Sequence, residues 1–479
     1  MLSSPLYHGH FAKESKLNLQ FVGIGTLDLL GTCVFYDEKK QKLSPVFPKL
    51  NLLSSNVIPE NAKYFKLGFR ISGKGECTIK EILLGLEKNP DELSCFLSRS
   101  NVLILSNQYP SPQALYRNMF VHKRVSSYKE EGLLCDVMRM NIFSKNSFSE
   151  FEGINVVEGQ ADRLYSILES GTIDTVCVHF LDQSMWDVLK HFDKNIRILV
   201  WLHGAEIQPW WRREYNYSTS AELEQAKKES ERRQAFWKTV FDNIENYNIH
   251  FIFVSQYFAN EIFEDNHISL PAEKYSIIHN CIDTELFQYH SKNSEQRKKL
   301  LSIRPYASNK YANDLTVKCI LELSKEPFFR ELEFRIMGSG DQFDNITAPL
   351  KKYKNVILEK RFLRQDEISD LHKDYGIFLT PTRMDAQGVS RDEAMSSGLV
   401  PITNAVTAIP EFVDDSCGIL APAEDYKAMA EGIKKLYYDK DLFESMSYKA
   451  ATRVRSQSSK EYTIKKEIAL IKQEPKGKS

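Results

Sequence analysis

Asp385 and Glu393 stand eight positions apart in a stretch that runs from Pro381 to Gly398. It follows a short apolar run at 377–380, so Asp385 falls in the loop after a strand and Glu393 inside the next helix. Gly388 lies near that helix start. Free backbone N–H groups and the helix dipole can hold a phosphate there. Glu393, two turns on, could accept hydrogen bonds from ribose hydroxyls. On spacing alone, a solvated helix with ordinary acidic residues explains the stretch equally well. A second candidate is the strand-to-turn sequence Phe334-Arg335-Ile336-Met337-Gly338-Ser339-Gly340-Asp341. Its glycines would let the backbone approach a ligand, but the longer dinucleotide pattern G-x-G-x-x-G is missing. A third is His203-Gly204, which closes the apolar run at 198–202. A lone histidine is usually structural, yet one at a strand's carboxyl end is placed for chemistry.

Residues of these types need a scaffold, and the periodicity supplies one. Short apolar runs at 102–105, 175–180, 196–202, 251–254 and 275–278 alternate with helical stretches, including 113–131, closed by Gly132, and a long charged one at 220–246. Runs of this kind suit strands buried on both faces of a parallel sheet. A second cycle has strands at 332–337, 356–359, 377–380 and 399–403. Two doubly wound α/β units follow, with ligands expected at the carboxyl ends of their strands. The polar stretch 283–299 reads as the linker. Residues 1–98 differ. Leu17, Leu19 and Phe21 alternate, as do Phe65, Leu67, Phe69 and Ile71, and 77–84 can return as the next strand after the turn Ser72-Gly73-Lys74-Gly75. This reads as a small β-sandwich-like accessory domain, either structural or glycan-binding. The expected domains are therefore 1–98 (β-rich), 99–282 and 283–455 (α/β), and 456–479 (C-terminal helix and tail).

The stretch around Glu393 resembles the acidic-x7-acidic signature of glycosyltransferase family 4, retaining enzymes of the GT-B fold, or glycosyl transferases group 1. That family reads roughly E-G-F-G-L-x-x-x-E-A-M-A-x-G-x-P-V, then G-x-P-E. This chain has Glu393-Ala394-Met395-Ser396-Ser397-Gly398-Leu399-Val400-Pro401, then Ala408-Ile409-Pro410-Glu411. Arg304 and Lys310, six positions apart, match the family's donor-diphosphate pair. Fixed cations there would stabilise the negative charge of the leaving nucleoside diphosphate. The resemblance covers about residues 101–455. It implies two Rossmann-like domains facing a cleft, with a nucleotide-sugar donor on the second and a glycan or lipid-linked acceptor on the first. By the same resemblance His203, Arg304, Lys310 and Asp385 are catalytic, and Gly338, Gly340, Gly388, Val389, Ser390 and Glu393 bind the donor. Asp385 replaces the usual Glu, and Ala386-Gln387 replaces Gly-Phe. The loop Asn107-Gln108-Tyr109-Pro110-Ser111-Pro112 departs from the family's Gly-Gly pair. Trp210-Trp211-Arg212-Arg213 could stack on sugars, dock at a lipid headgroup surface, or be a packed Trp pair with solvated arginines.

Composition narrows the field. A formal net charge of -1 gives no bulk field for nucleic acid. The eight cysteines form no C-x-x-C pair and read as buried thiols of a reducing compartment. No metal is expected, because no His or Cys cluster has ligand spacing and Asp439-Lys440-Asp441 sits at a helix junction. No cofactor is expected beyond the nucleotide-sugar substrate. The start of the chain lacks a signal-peptide pattern and no apolar run is long enough to span a bilayer. The expected setting is the cytoplasm, with peripheral contact at the inner face of the membrane if the acceptor is lipid-linked, and association with this family points to bacterial surface polysaccharide synthesis with a UDP-sugar favoured. The rival readings are a GT-B-like epimerase or phosphorylase, and a non-catalytic glycan-binding protein on the same scaffold.

Overall fold

The computed structural model describes all residues except 1, 4–6, 9–15, 27, 87–99, 112–113, 115–116, 142, 144–146, 170, 194 and 474–479. The expected tail at 474–479, the first residue of the helix expected at 113 and the boundary expected at 98/99 lie outside the described residues. The chain forms two compact units, one of 1–200 with 247–249 and 473–479, the other of 201–246 with 250–472.

The first unit opens with antiparallel strands in two small sheets. One has the order Leu2–Ser3, Tyr64–Ser72, Asp28–Tyr36, Lys42–Val46, and the other Ser54–Val57, Lys16–Gly25, Cys77–Leu86. Their apolar faces share one core, in which Leu17, Leu19 and Phe21 meet Cys33, Phe35, Phe65 and Leu67. The alternation read from the sequence is therefore the inward face of a sandwich. One expectation is corrected. The strands flanking the Ser72–Gly75 turn do not pair with each other. Cys77–Leu86 pairs with Lys16–Gly25, and Tyr64–Ser72 pairs with Asp28–Tyr36. Gly31 shows why the two sheets can approach. A Cβ there would strike the Phe21 ring, so the bare position lets that ring lie across the strand.

The same unit continues with α/β structure. Its strands lie in the order Ser147–Phe151, Ile154–Gly159, Asp136–Met140, Val102–Ser106, Thr175–His179, Arg197–Leu202. Val102–Ser106 pairs in parallel on both sides, and Ser147–Phe151 is antiparallel at the edge. The sequence pattern missed Asp136–Met140 and the Ser147–Phe151 hairpin, because Asp136 and Arg139 interrupt one apolar run and serines the other. The expected helix begins only at Met119 and ends at Glu130, where Gly132 takes φ 78° as a C-cap should.

The second unit holds the parallel pair Ile249–Phe253 and Tyr275–Ile277 and a six-stranded parallel sheet. That sheet has the order Val356–Lys360, Glu333–Gly338, Lys299–Ile303, Ile377–Leu379, Val400–Asn404, Ile419–Ala421. The chain order 3-2-1-4-5-6 defines a doubly wound sheet whose direction reverses between Lys299–Ile303 and Ile377–Leu379. Both faces are covered. Leu300, Phe334 and Ile377 pack on Ile320 and Ile433, while Leu301, Met337 and Phe378 pack on Ala394 and Leu399. That explains why the strands read as continuous apolar runs. The stretch expected as a plain linker is an ordered strap. Phe287 is fully buried, its carbonyl accepts from Ser396, and Lys292 donates to the His372 carbonyl at 2.5 Å. Its last residue opens the central strand, which polar flanks had hidden. The helix Lys460–Ile471 returns to this unit's first residues, where Trp201 Nε1 donates to Glu467 at 3.3 Å. No helix among the described residues is long and apolar enough to cross a membrane.

Candidate active site

The reversal point of the six-stranded sheet is where the second unit's residues should gather, and they do. Arg304 follows the central strand, and residues 380–387 follow its neighbour. Arg304 is 5% exposed. Its Nη1 donates to Ser390 Oγ at 3.1 Å and its guanidinium lies 4.9 Å from the Tyr311 ring centroid. Its Nε and Nη2 are buried with no partner among the described residues. Burial lowers its pKa, while Asp385 acts in the opposite sense. A buried cation with two unmatched N–H groups is costly, and an anion beside it would offset that cost.

Gly388 has φ 101° and is the N-cap of the helix Val389–Ser396. A side chain there would be strained and would meet the Arg391 guanidinium at 2.8 Å. The first turn of that helix presents Val389 and Ser390 beside Arg304. Glu393 is buried on its second turn. Asp385 is half-buried, and its Oδ1 accepts weakly from the Gln387 N–H at 3.4 Å. Lys310 is half-buried too, and its ammonium lies 5.8 Å from the Tyr311 centroid. Arg304, Asp385, Ser390 and the helix N-terminus thus form one cluster, with Lys310 on the adjoining loop.

Gly338 and Gly340 are required by the packing of the chain itself. A Cβ on Gly338 would collide with the Arg304 carbonyl, and one on Gly340 with the Tyr306 backbone. Arg304 N–H donates to Met337 O at 3.0 Å, and Tyr306 N–H to Ser339 O at 2.9 Å. The bare glycines let this turn back the arginine loop closely, which orients Arg304.

His203 ends the strand Arg197–Leu202, and its N–H donates to the Glu206 carboxylate. Gly204 takes φ 129°, and a Cβ there would reach the Met384 methyl at 4.0 Å, so the His-Gly loop lies against the residue preceding Asp385. The segment Trp210–Asn216 is tied to the loop that carries Lys310. Ser308 Oγ donates to Asn216 Oδ1 at 2.6 Å, and Asn309 Nδ2 to Tyr215 O at 3.0 Å. Arg212 is ion-paired, with Asp265 at 2.9 Å and Glu264 at 3.0 Å, which answers the reading of it as a solvated arginine. Trp211 remains 46% exposed.

Other residues hold this site and were not singled out from the sequence. Arg383 pairs with Asp314 at 2.9 Å and Glu424 at 2.8 Å, and donates to Asn309 O at 2.9 Å. Its N–H and the Thr382 hydroxyl both bond Lys310 O, at 2.8 and 3.1 Å. It therefore clamps the loop that carries Lys310. Gln387, where the family has Phe, accepts from Asn280 N–H at 2.6 Å and donates to Asn280 O at 3.1 Å and Asp392 Oδ2 at 3.0 Å. Glu411, already noticed within the second motif, accepts from the N–H groups of Gln256 and Tyr257 at 3.0 Å each. It caps the helix Gln256–Asn266, as a carboxylate at a helix N-terminus should. Only the substitution of Phe by Gln was a signal in the sequence, since an amide in place of a core aromatic needs partners.

Residues 297–439 match the model of the family described as Glycosyl transferases group 1. No curated protein matches the chain. Among solved structures, sucrose-phosphate synthase from Thermosynechococcus elongatus aligns with a TM-score of 0.58 at 14% identity, covering 77% of this chain and 98% of that one. The pneumococcal O-GlcNAc transferase GtfA, in complex with UDP and GlcNAc, aligns at 0.55 and 14% identity, with 77% and 98% covered. Anabaena HepE, in complex with UDP and glucose, aligns at 0.55 and 13% identity, with the same coverage. At such identities the structures speak for the fold, and the family model speaks for the domain that carries Arg304, Lys310, Asp385 and Glu393. The match to the glycosyl transferases group 1 model thus falls on the six-stranded α/β sheet and its loops, and the solved structures are similar to this chain in fold.

Proposed function

We propose that this protein moves a sugar from a nucleotide-sugar donor to a glycan or lipid-linked glycan, with retention at the anomeric carbon and without a metal ion. The observation that carries this reading is the buried guanidinium of Arg304, with Nε and Nη2 unmatched, beside the N-terminus of the helix Val389–Ser396. A diphosphate supplies the acceptors that this pocket lacks, and helix N–H groups add to the attraction. Lys310 contributes a second positive charge from its clamped loop, so the leaving diphosphate can be stabilised by side chains alone. Glu393 would hold the ribose and Asp385 the donor sugar, with His203 positioning that sugar from the adjoining loop.

In the reaction we favour, the bond from the anomeric carbon to the diphosphate oxygen breaks while the acceptor oxygen attacks the same face. The acceptor proton passes to the departing diphosphate oxygen, and the electron pair of the broken bond stays on that diphosphate. A UDP-sugar is the favoured donor. HepE and GtfA, of similar fold, were solved with UDP. Polysaccharide synthesis on the cytoplasmic side of the cell membrane is the setting we favour. A glycan-binding protein without catalysis would have no use for an unmatched buried cation.

The test is binding and slow hydrolysis across UDP-, GDP- and ADP-sugars, with Glu393→Ala beside the wild type. One donor should be bound and hydrolysed, and the variant should lose both. Binding of none of them overturns the reading. NMR of the transferred sugar tests the stereochemistry, and an inverted product rules out retention.

A further inference from the structure

The loop 203–217 carries buried polar groups that the reaction described above leaves unused. The hydroxyl of Tyr215, Oε2 of Glu206 and Oε1 of Gln208 are all buried, and none has a hydrogen-bond partner among the described residues. Native proteins seldom leave such atoms unmatched. Here three occur within ten residues of one another.

Their placement tells what should match them. At one end of the loop Gly204 lies against Met384, the neighbour of Asp385. At the other, Asn309 and Ser308 hold the Tyr215 carbonyl and Asn216 side chain. The loop is thus anchored both to the acidic loop and to the loop that carries Lys310. Burial raises the Tyr215 phenol to about 12, and the charges of Arg213, Glu261 and Asp385 all reach it. The Glu206 carboxyl is pushed up to about 7 by burial, against hydrogen bonds from backbone N–H groups and the charge of Arg213. The unmatched set is the Gln208 amide oxygen, which accepts, the Glu206 carboxyl, which donates when protonated and accepts when ionised, and one hydroxyl that can do either. A polyhydroxylated ring offers the complementary donors, whereas a phosphate offers only acceptors.

We infer that Tyr215 and Glu206 bind the ring hydroxyls of the donor sugar, opposite Asp385, and so help select which sugar is transferred. This rests on the nucleotide-sugar reading above. The segment that carries Tyr215 lies outside every motif through which the chain resembles its family.

The experiment separates sugar from nucleotide. Titration calorimetry with UDP, GDP and ADP identifies the base, and the matching nucleotide-hexoses are then assayed for hydrolysis. Tyr215→Phe removes one oxygen and should leave the melting temperature unchanged and nucleoside diphosphate affinity within about twofold, while kcat/KM for the nucleotide-hexose falls about 10- to 100-fold. Glu206→Gln should show the same split. Equal losses for the diphosphate and the nucleotide-hexose would make Tyr215 a support of the phosphate loop and overturn the inference. No loss in either variant would also overturn it while leaving the nucleotide-sugar reading intact. A wild type that binds no nucleotide at all removes that reading, and this inference with it.

Discussion

Two polar clusters, one in each unit, lie next to strand carboxyl ends and are built to opposite rules. In the first unit Tyr109 is buried, and its hydroxyl bonds His122 Nδ1 at 2.9 Å. His122 Nε2 in turn bonds Glu152 at 3.1 Å, and Asn118 ties Ser106, Asn107 and Gln108 together. Every link in that chain is closed. In the second unit Arg304, Tyr215 and Glu206 each keep at least one buried polar atom without a partner among the described residues. A closed network holds a loop in place, and an open one leaves polar groups that a ligand would match. Polar residues and burial are common to both, so composition alone does not separate scaffold from site.

The largest expected effect comes from Arg304→Met. Loss of the cation should cut donor turnover by about 10²- to 10³-fold, while the melting temperature stays level or rises, because an unmatched buried charge is removed. A melting temperature lowered by several degrees would place Arg304 among the closed networks. Arg383→Ala should come next. It frees the loop of Lys310, and KM for the donor should rise about tenfold through lost positioning, read in steady-state kinetics together with a lower melting temperature. Tyr109→Phe should give the mirror image of Arg304→Met. It removes the partner of His122 Nδ1 and should cost about 1–2 kcal/mol of stability in denaturant melts, with donor hydrolysis within about twofold of wild type.

The smallest effect is a slope with pH. The Glu206 carboxyl is raised to about 7 in the folded chain, chiefly by burial. The folded state then holds a proton that the unfolded chain releases near pH 4.5. Stability is therefore fully present below that value and is lost as pH rises toward about 7. Glu206→Gln should flatten this slope in melting temperatures measured from pH 4.5 to 7.5. An unchanged slope would mean that Glu206 is hydrated and closed like the carboxylate of Glu152.

Much of the fold was legible because doubly wound strands are apolar throughout. The runs at 175–180, 196–202 and 399–403 correspond to Thr175–His179, Arg197–Leu202 and Val400–Asn404. Strands with charged interruptions or polar flanks escaped, as Asp136–Met140 and Lys299–Ile303 did, since polar residues shorten the apolar run that marks a buried strand. For the candidate site, the spacing of Asp385 and Glu393 and of Arg304 and Lys310 marked loops that the six-stranded sheet brings together. It did not reveal that Gly338 and Gly340 back the Arg304 loop, nor that Arg383 clamps Lys310 from 73 positions away.

The sequence by itself determined the α/β alternation, the β-rich start and the loops that carry charge, because each follows from periodicity and short-range spacing. Only the tertiary structure decided which charges are matched. Whether the Arg304 nitrogens meet an acceptor or stay unmatched depends on chain segments far apart in sequence. The desolvation that makes an unmatched group expensive exists only once the surrounding chain has excluded water.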